Sequence, residues 1–308
     1  MAEWLSRYSH LIRYADLAYR NCDGAEFRAL AWELGGNVEG GHSKIEIQLP
    51  SFPSRFRFLT VNAHVHLGIR NDDTLVLAFR GTDWPSAAMD FFNPSKCPVL
   101  IHEGFLYAFN DLLYGKKLEQ SIYHLVKDRP TKIKVCGHSL DAALATLCSA
   151  WCRVRWPSAD VTCVTLGSPR VGNEALCNLF KDTKSFRVMM DADPVPTVPD
   201  RRTQATPLGI PASLKLGTAA DRRYRHVGIP IVLQPRYHRA HYGIERHDIK
   251  KEEAEHELNW IDKLWLFVYW PIRILEMVVK MRENHASGAY VTAVQRIREK
   301  SGSKADGA

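Results

Sequence analysis

One run near the middle of the chain, residues 132–144, constrains the fold more than any other. It reads KIKVCGHSLDAAL, with Ile133 and Val135 before a turn and a stretch rich in alanine and leucine after it. Branched side chains favour an extended strand, whereas alanine and leucine favour a helix. The run therefore predicts a strand, a sharp turn and a helix, with Ser139 exposed at the apex above the helix amino terminus.

Ser139 lies in an incomplete Gly-x-Ser-x-Gly pattern. This pattern marks the elbow on which hydrolases expose a nucleophilic serine, and its glycines allow the turn to pack tightly. Gly137 is present, but Asp141 occupies the last position, where a side chain would crowd the turn. A serine that caps an ordinary helix would explain the same residues about as well. The elbow alone therefore leaves both interpretations open.

Further short motifs lie on both sides of the elbow. In chain order, with the elbow at 137–141 between the third and fourth, they are YADLAY at 14–19, FRGT at 79–82, HEGF at 102–105, GSPRVGN at 167–173, DPVP at 193–196 and YRHVG at 224–228. Together they resemble the class 3 lipase family, the fungal-type lipases of the α/β-hydrolase superfamily. FRGT and GSPRVGN are the most specific of these motifs, and they outweigh the departure at Asp141.

The resemblance implies an α/β-hydrolase fold, with a mostly parallel central sheet and helices on both faces. The periodicity of the apolar residues agrees, because helices and strands alternate up to about residue 233. The first predicted elements are a helix over roughly 4–20 and strands near 43–48, 56–69 and 74–80.

We expect residues 1–300 to form one α/β-hydrolase domain, since the motifs of one site run through most of the chain. The resemblance implies a lid at 83–96, although its aromatic side chains could equally pack against the core. Residues 250–282 are expected to form an aromatic helical insertion, and residues 301–308 a disordered tail. Within the insertion, 264–272 is too short to span a bilayer, which leaves core burial, an acyl-binding cap or a lipid-interface patch.

A serine nucleophile needs a base and an acid that orients the base, in the chain order Ser, Asp, His for this fold. A predicted strand over 185–190 leads into a loop stiffened by prolines. The resemblance places the acid at Asp193 in this loop. Asp191 and Asp200 remain competitors, because a solvated carboxylate is the ordinary interpretation of any of them.

The resemblance places the base at His285, which is followed by a tyrosine and a last helix, and His241 is the alternative. His226 lies in a strand-like run and is interpreted as structural. His247 and His256 fall in a charged stretch typical of a solvated helix face. His238 also follows the acid.

Acyl transfer needs pre-oriented donors for the developing oxyanion, and loss of one donor costs about 3 kcal/mol. Residues 75–79 predict a buried strand that opens into a loop, the edge of an α/β sheet where ligands bind. The resemblance assigns the donors to Thr82 and to the amide of Leu140. The predicted function is a serine-dependent carboxylic ester hydrolase, a lipase or an esterase, that needs no metal and no organic cofactor.

The competing hypothesis is a catalytically impaired relative that binds lipid or lies on a membrane surface, because Asp141 replaces the last glycine of the elbow. A carboxylate about 7 Å from the oxyanion would cost roughly 2 kcal/mol at an effective dielectric of about 20. This penalty predicts a slowed enzyme whose turnover rises in Asp141→Gly.

Composition sets the remaining expectations. The net charge of +7 is spread along the chain without a nucleic-acid motif, which predicts no nucleic-acid partner. The partners expected are a small ester or lipid substrate and a peripheral lipid interface. The amino-terminal residues lack an apolar signal core, which predicts a cytoplasmic location. The seven cysteines are scattered, which indicates reduced core residues.

Overall fold

An eight-stranded sheet runs through the centre of the protein, and its strands lie side by side in chain order. The computed structural model describes residues 2–19, 42–49, 61–69, 74–80, 99, 101–126, 129–193, 195–197, 224–237, 239–244 and 284–302. The strands are β1 (His42–Leu49), β2 (Val61–Ile69), β3 (Thr74–Arg80), β4 (Lys132–His138), β5 (Asp160–Leu166), β6 (Lys184–Met190), β7 (Ile229–Gln234) and β8 (Arg239–Tyr242).

The sheet is parallel in its centre and antiparallel at both edges. Strands β3 to β7 pair in parallel. Strands β1 and β2 add to one edge and β8 adds to the other, each antiparallel to its neighbour. This arrangement confirms the mostly parallel α/β sheet that the sequence predicted.

Helices follow most of the parallel strands, as expected for crossover connections. They are α1 (Ala2–Leu17), α2 (Glu103–Asn110), α3 (Leu118–Val126), α4 (Leu140–Arg155), α5 (Glu174–Asn178) and α6 (Ser287–Gly302). A π-helical turn continues α2, and short 3₁₀ turns follow β6 and β7. Across the ranges that the structure describes, no helix is long and apolar enough to cross a membrane.

The side chains of β3 alternate between two apolar cores. Leu75, Leu77 and Phe79 pack into the core that includes α2, α3 and α4, whereas Val76 and Ala78 pack into the core that includes α1 and α6. Successive side chains of a strand point to opposite faces, so a strand covered on both faces must be apolar throughout. The buried run of β3 is therefore the consequence of helices on both faces of the sheet.

The two helices farthest apart in sequence, α1 and α6, pack against each other on the same face. Leu11 and Ile12 of α1 share a core with Tyr290, Val294 and Ile297 of α6, and all five side chains are buried. This pairing brings the amino-terminal motif next to the end of the chain where the base is expected.

Three of the predicted segments lie wholly or partly outside the described residues. The lid at 83–96 and the aromatic insertion at 250–282 are outside them. Helix α6 continues to Gly302, two residues into the predicted tail at 301–308, and the remainder of that tail lies outside the described residues. The cysteines that the structure describes carry free thiols, and four of those five are buried.

Replacing Leu77 by alanine is expected to lower the free energy of unfolding by about 2–5 kcal/mol, because Leu77 is fully buried in the central strand. Val154→Ala is the control, since 81% of Val154 is exposed on α4, and its effect should stay within about 0.5 kcal/mol. Urea denaturation measures both. Equal losses in the two variants would contradict the core placement of Leu77.

Candidate active site

Ser139 lies at a sharp turn between β4 and α4, which confirms the predicted strand, turn and helix. Its backbone has φ 59° and ψ −131°, a conformation that non-glycine residues rarely adopt and that costs about 1–3 kcal/mol. The Ser139 amide donates to the carbonyl of Leu166 at 2.9 Å, and its carbonyl accepts from Ala142 at 3.1 Å. These bonds to the neighbouring strand and to the helix hold the strained turn.

Gly137 supplies the space that the elbow needs. A Cβ at this position would lie 2.6 Å from the backbone carbonyl oxygen of Asp141, so α4 packs directly onto the glycine. The Ser139 side chain makes no capping bond to α4. The helix-cap interpretation of this serine is therefore not the arrangement found.

The structure brings together the three residues that the sequence predicted as a triad. The Ser139 Oγ lies 2.7 Å from His285 Nε2, and His285 Nδ1 lies 2.8 Å from Asp193 Oδ2. Because an ionised carboxylate only accepts hydrogen bonds, Nδ1 carries the proton and Nε2 is left to accept from the serine hydroxyl. This is the protonation pattern that a general base requires before it removes a proton from a nucleophile.

The Asp193 carboxylate is fully buried and has a donor for each oxygen. Oδ2 accepts from His285 and from the Tyr290 hydroxyl, and Oδ1 accepts from the Val195 amide at 2.9 Å. A buried charge is tolerated only when it is paired and hydrogen-bonded. Tyr290 was not predicted as a site residue; the signal for it is its position five residues after His285, in the first turn of α6.

The competing residues lie elsewhere. His241 Nε2 lies 2.7 Å from Gln234 Oε1 at the edge of the sheet, and the backbone amide of Asp191 donates to Leu233. The carbonyl of His226 accepts from the thiol of Cys177, which agrees with the structural role predicted for His226. Asp200, His238, His247 and His256 lie outside the described residues.

Of the two predicted oxyanion donors, Leu140 is described and Thr82 is not. Leu140 is the first residue of α4, and the first amides of a helix have no acceptor within the helix. The helix dipole adds positive potential at this end. The Leu140 amide therefore lies where a donor next to Ser139 is needed.

Asp141 fits into the elbow as a buried carboxyl group. Its side chain is fully buried, and neither oxygen has a hydrogen-bond partner among the residues that the structure describes. Burial raises the pKa of Asp141 well above its usual range, although the charge of Arg80 acts in the opposite direction. The raised pKa favours the uncharged form of Asp141, which weakens the electrostatic slowing that the sequence predicted from a charged carboxylate.

Asp141→Asn is expected to stabilise the protein more at pH 7 than at pH 4. As the pH rises above about 4, the carboxyl ionises in the unfolded chain but stays protonated in the folded one, so wild-type stability falls. Asparagine has no such proton to lose. Thermal melting of both proteins measures the difference, at about 2 °C for each kcal/mol. A gap in Tm that does not widen between pH 4 and 7 would contradict a buried, protonated Asp141.

Gly167 lies against the base and the acid. Its φ is +54°, and a Cβ there would lie 2.8 Å from Asp193 Oδ2 and 2.9 Å from His285 Cε1. Gly167 follows β5 and opens the GSPRVGN motif. Only glycine combines this backbone conformation with the space that the two side chains occupy.

Gly167→Ala is expected to lower the activity of the site by about 100-fold or more, because a displacement of about 1 Å is enough for such a loss. Gly243→Ala is the matched control: its φ is +75°, but a Cβ there meets no atom within 4 Å. Both variants carry the backbone strain, of roughly 1–2 kcal/mol. Reactivity of Ser139 towards a fluorophosphonate measures the difference, and similar losses in both variants would show that strain alone matters.

Comparison with known proteins finds a family match for the central part of the chain. Residues 76–203 match the family model described as lipase (class 3). The secreted mono- and diacylglycerol lipase A of Penicillium cyclopium is 34% identical over 137 residues, which are 42% of this chain and 44% of that protein. The secreted mono- and diacylglycerol lipase 1 of Fusarium solani is 34% identical over 115 residues, 35% of this chain and 33% of that protein. The chain thus spans less than half the length of these relatives.

The fold is shared with solved lipases. The triacylglyceride lipase of Rhizomucor miehei superposes with a TM-score of 0.52 at 18% identity, over 76% of this chain and 81% of that structure. The predicted cytoplasmic location is wrong, because both curated relatives are named secreted lipases. The resemblance to the class 3 lipase family that the sequence predicted is thus confirmed over the central segment 76–203, and the sheet around this segment has the fold of the solved lipases.

Proposed function

We propose that this protein is a serine-dependent carboxylic ester hydrolase. The observation that carries the proposal is the unbroken chain of hydrogen bonds from Ser139 through His285 to Asp193. Nucleophile, base and orienting acid come from three separate parts of the chain, and each contact has the distance that proton transfer needs.

Ester cleavage then proceeds through an acyl-enzyme. The Ser139 Oγ attacks the ester carbonyl while His285 Nε2 takes the hydroxyl proton. The tetrahedral oxyanion is stabilised by the Leu140 amide and by Thr82, and its collapse transfers the proton from His285 to the leaving alcohol. Water, deprotonated by His285, attacks the acyl-enzyme, and collapse of this second tetrahedral intermediate releases the acid and returns the proton from His285 to the Ser139 oxygen.

Asp193 makes His285 a better base because its carboxylate is buried and both of its oxygens accept hydrogen bonds. The imidazolium that forms during attack lies 2.8 Å from the carboxylate, in a region from which water is excluded. Low dielectric strengthens this attraction. The Tyr290 hydroxyl and the Val195 amide fix the carboxylate so that it need not reorient as the charge develops.

For the substrate we propose a lipid ester, because the relatives are named mono- and diacylglycerol lipases and a triacylglyceride lipase. Triacylglycerol, a soluble short-chain ester and a phospholipid differ in the acyl and alcohol groups but need the same catalytic groups. We propose contact with a lipid surface through the aromatic segment 264–272, which liposome sedimentation tests. From the names of the relatives we also propose an extracellular location.

The impaired, lipid-binding alternative is not favoured. It required Asp141 to spoil the elbow, yet Ser139 keeps its strained conformation and its bond to His285 with Asp141 in place. The carboxyl group is accommodated beside Arg80 instead of distorting the turn.

Hydrolysis of nitrophenyl esters from acetate to palmitate, by wild type and by Ser139→Ala, tests the proposal. We expect the variant to lose at least about 10⁴-fold in kcat, since removal of the nucleophile leaves only binding and oxyanion stabilisation. Ser158→Ala, at an exposed turn before β5, is the control and should match wild type. Equal rates in all three proteins would contradict the proposal, and the profile over chain length separates an esterase from a lipase.

A further inference from the structure

The amino-terminal YADLAY motif, residues 14–19, lies outside the matched segment 76–203 and has no role in the chemistry above. It forms the last turn of α1 and the two residues after it. Two of its side chains reach across the protein to the segment that carries His285. Asp16 and Tyr19 make these contacts, one on each side of the base along the chain.

Tyr19 reaches the base through His138. The Tyr19 hydroxyl bonds to His138 Nδ1, and His138 Nε2 lies 2.5 Å from the backbone carbonyl oxygen of His285. A carbonyl only accepts, so Nε2 of His138 must carry the proton. In a neutral ring, Nδ1 is then an acceptor, and the Tyr19 hydroxyl donates to it. The directions of both bonds are therefore fixed.

His138 is held in its neutral form. Burial lowers the pKa of His138 well below its usual range, and the neighbouring His285 lowers it further. The two imidazole rings lie against each other, with centroids 4.6 Å apart and planes 34° apart. A charged His138 would repel the imidazolium that forms on His285, whereas a neutral ring presents an aromatic face to it.

Asp16 holds the chain just beyond the base. The Ser287 hydroxyl donates to Asp16 Oδ1 at 2.7 Å, and a Cβ on Gly288 would lie 3.8 Å from the same oxygen. The carboxylate thus faces the first turn of the sixteen-residue helix α6, where the helix dipole favours a negative charge. The main chain on either side of residue 286 is tied to the end of α1.

We propose that the end of α1 is a clamp that positions the base His285, with Tyr19 acting through His138 on its carbonyl and Asp16 acting through Ser287 on the next turn. The clamp consists of these four residues: Asp16, Tyr19, His138 and Ser287. None of them touches the reacting atoms, so they are positioning residues. The proposal rests on the proposed function, in which His285 is the base.

Tyr19→Phe and Asp16→Ala test the clamp through kinetics. Each variant should lower kcat by about tenfold and leave KM within about twofold, because misplacement of a base by a fraction of an ångström slows proton transfer without changing substrate contacts. Asp16→Asn keeps an acceptor for the Ser287 hydroxyl and should restore most of the loss. Should Asp16→Ala fail to fold, Ser287→Ala removes the same bond from the other side.

Tyr8→Phe is the matched control. Tyr8 is a buried tyrosine of the same helix, and its ring packs against Trp4 and Phe186, away from the base. The variant should keep the kcat of wild type even where it shifts the Tm. An equal loss of kcat in Tyr8→Phe and Tyr19→Phe would mean that general destabilisation causes the loss, and it would overturn the clamp.

A spectroscopic measurement tests the clamp independently of hydrolysis. The proton on His285 Nδ1, bonded to Asp193, should give a downfield proton resonance that is absent in His285→Gln. In Tyr19→Phe and Asp16→Ala this resonance should broaden through faster exchange with water, and in Tyr8→Phe it should stay sharp. An unchanged resonance in the first two variants overturns the clamp. If wild type shows neither hydrolysis nor labelling of Ser139, the proposed function is overturned. The resonance still tests the clamp in that case, because it does not depend on hydrolysis.

Discussion

The hydrogen bond between Asp193 and His285 is the contact on which the rest of the site depends. It joins the loop after β6 to the segment before α6, and its carboxylate is fully buried. A carboxylate without water must be satisfied by the protein, and here Tyr290 and Val195 provide the remaining donors. The sheet places the acid, α6 places the base, and the buried charge keeps the two elements together.

Two positions around this bond require glycine, because a side chain there would collide with neighbouring atoms. Gly137 lets α4 approach β4, and Gly167 leaves room for both Asp193 and His285. The last glycine of the elbow pattern is replaced by Asp141, which is tolerated because its carboxyl is buried and burial raises its pKa well above the usual range. The absence of a side chain is therefore essential at Gly137 and Gly167, whereas the position of Asp141 accommodates one.

The sequence was sufficient where local preference and motif agree. The run 132–144 specified its own strand and helix, and the apolar run 75–79 identified a strand buried on both faces. Long-range partners were harder, because nothing local in the sequence says that Tyr290 would reach Asp193, or that Tyr19 would reach His138. The burial of Asp141 was also beyond the sequence, since a carboxylate in the first turn of a helix is usually solvated and only the folded structure shows that this one is buried.

Chain order gives the pairing of α1 with α6 a consequence for synthesis. The elbow can form once β4, α4 and β5 have left the ribosome, and the acid follows with the loop after β6. His285 and Tyr290 follow all eight strands in the chain, and α6 docks against α1, which precedes all of them. The proposed chemistry therefore needs synthesis to pass α6, and a chain that ends before His285 contains the serine elbow but lacks the base that activates the serine.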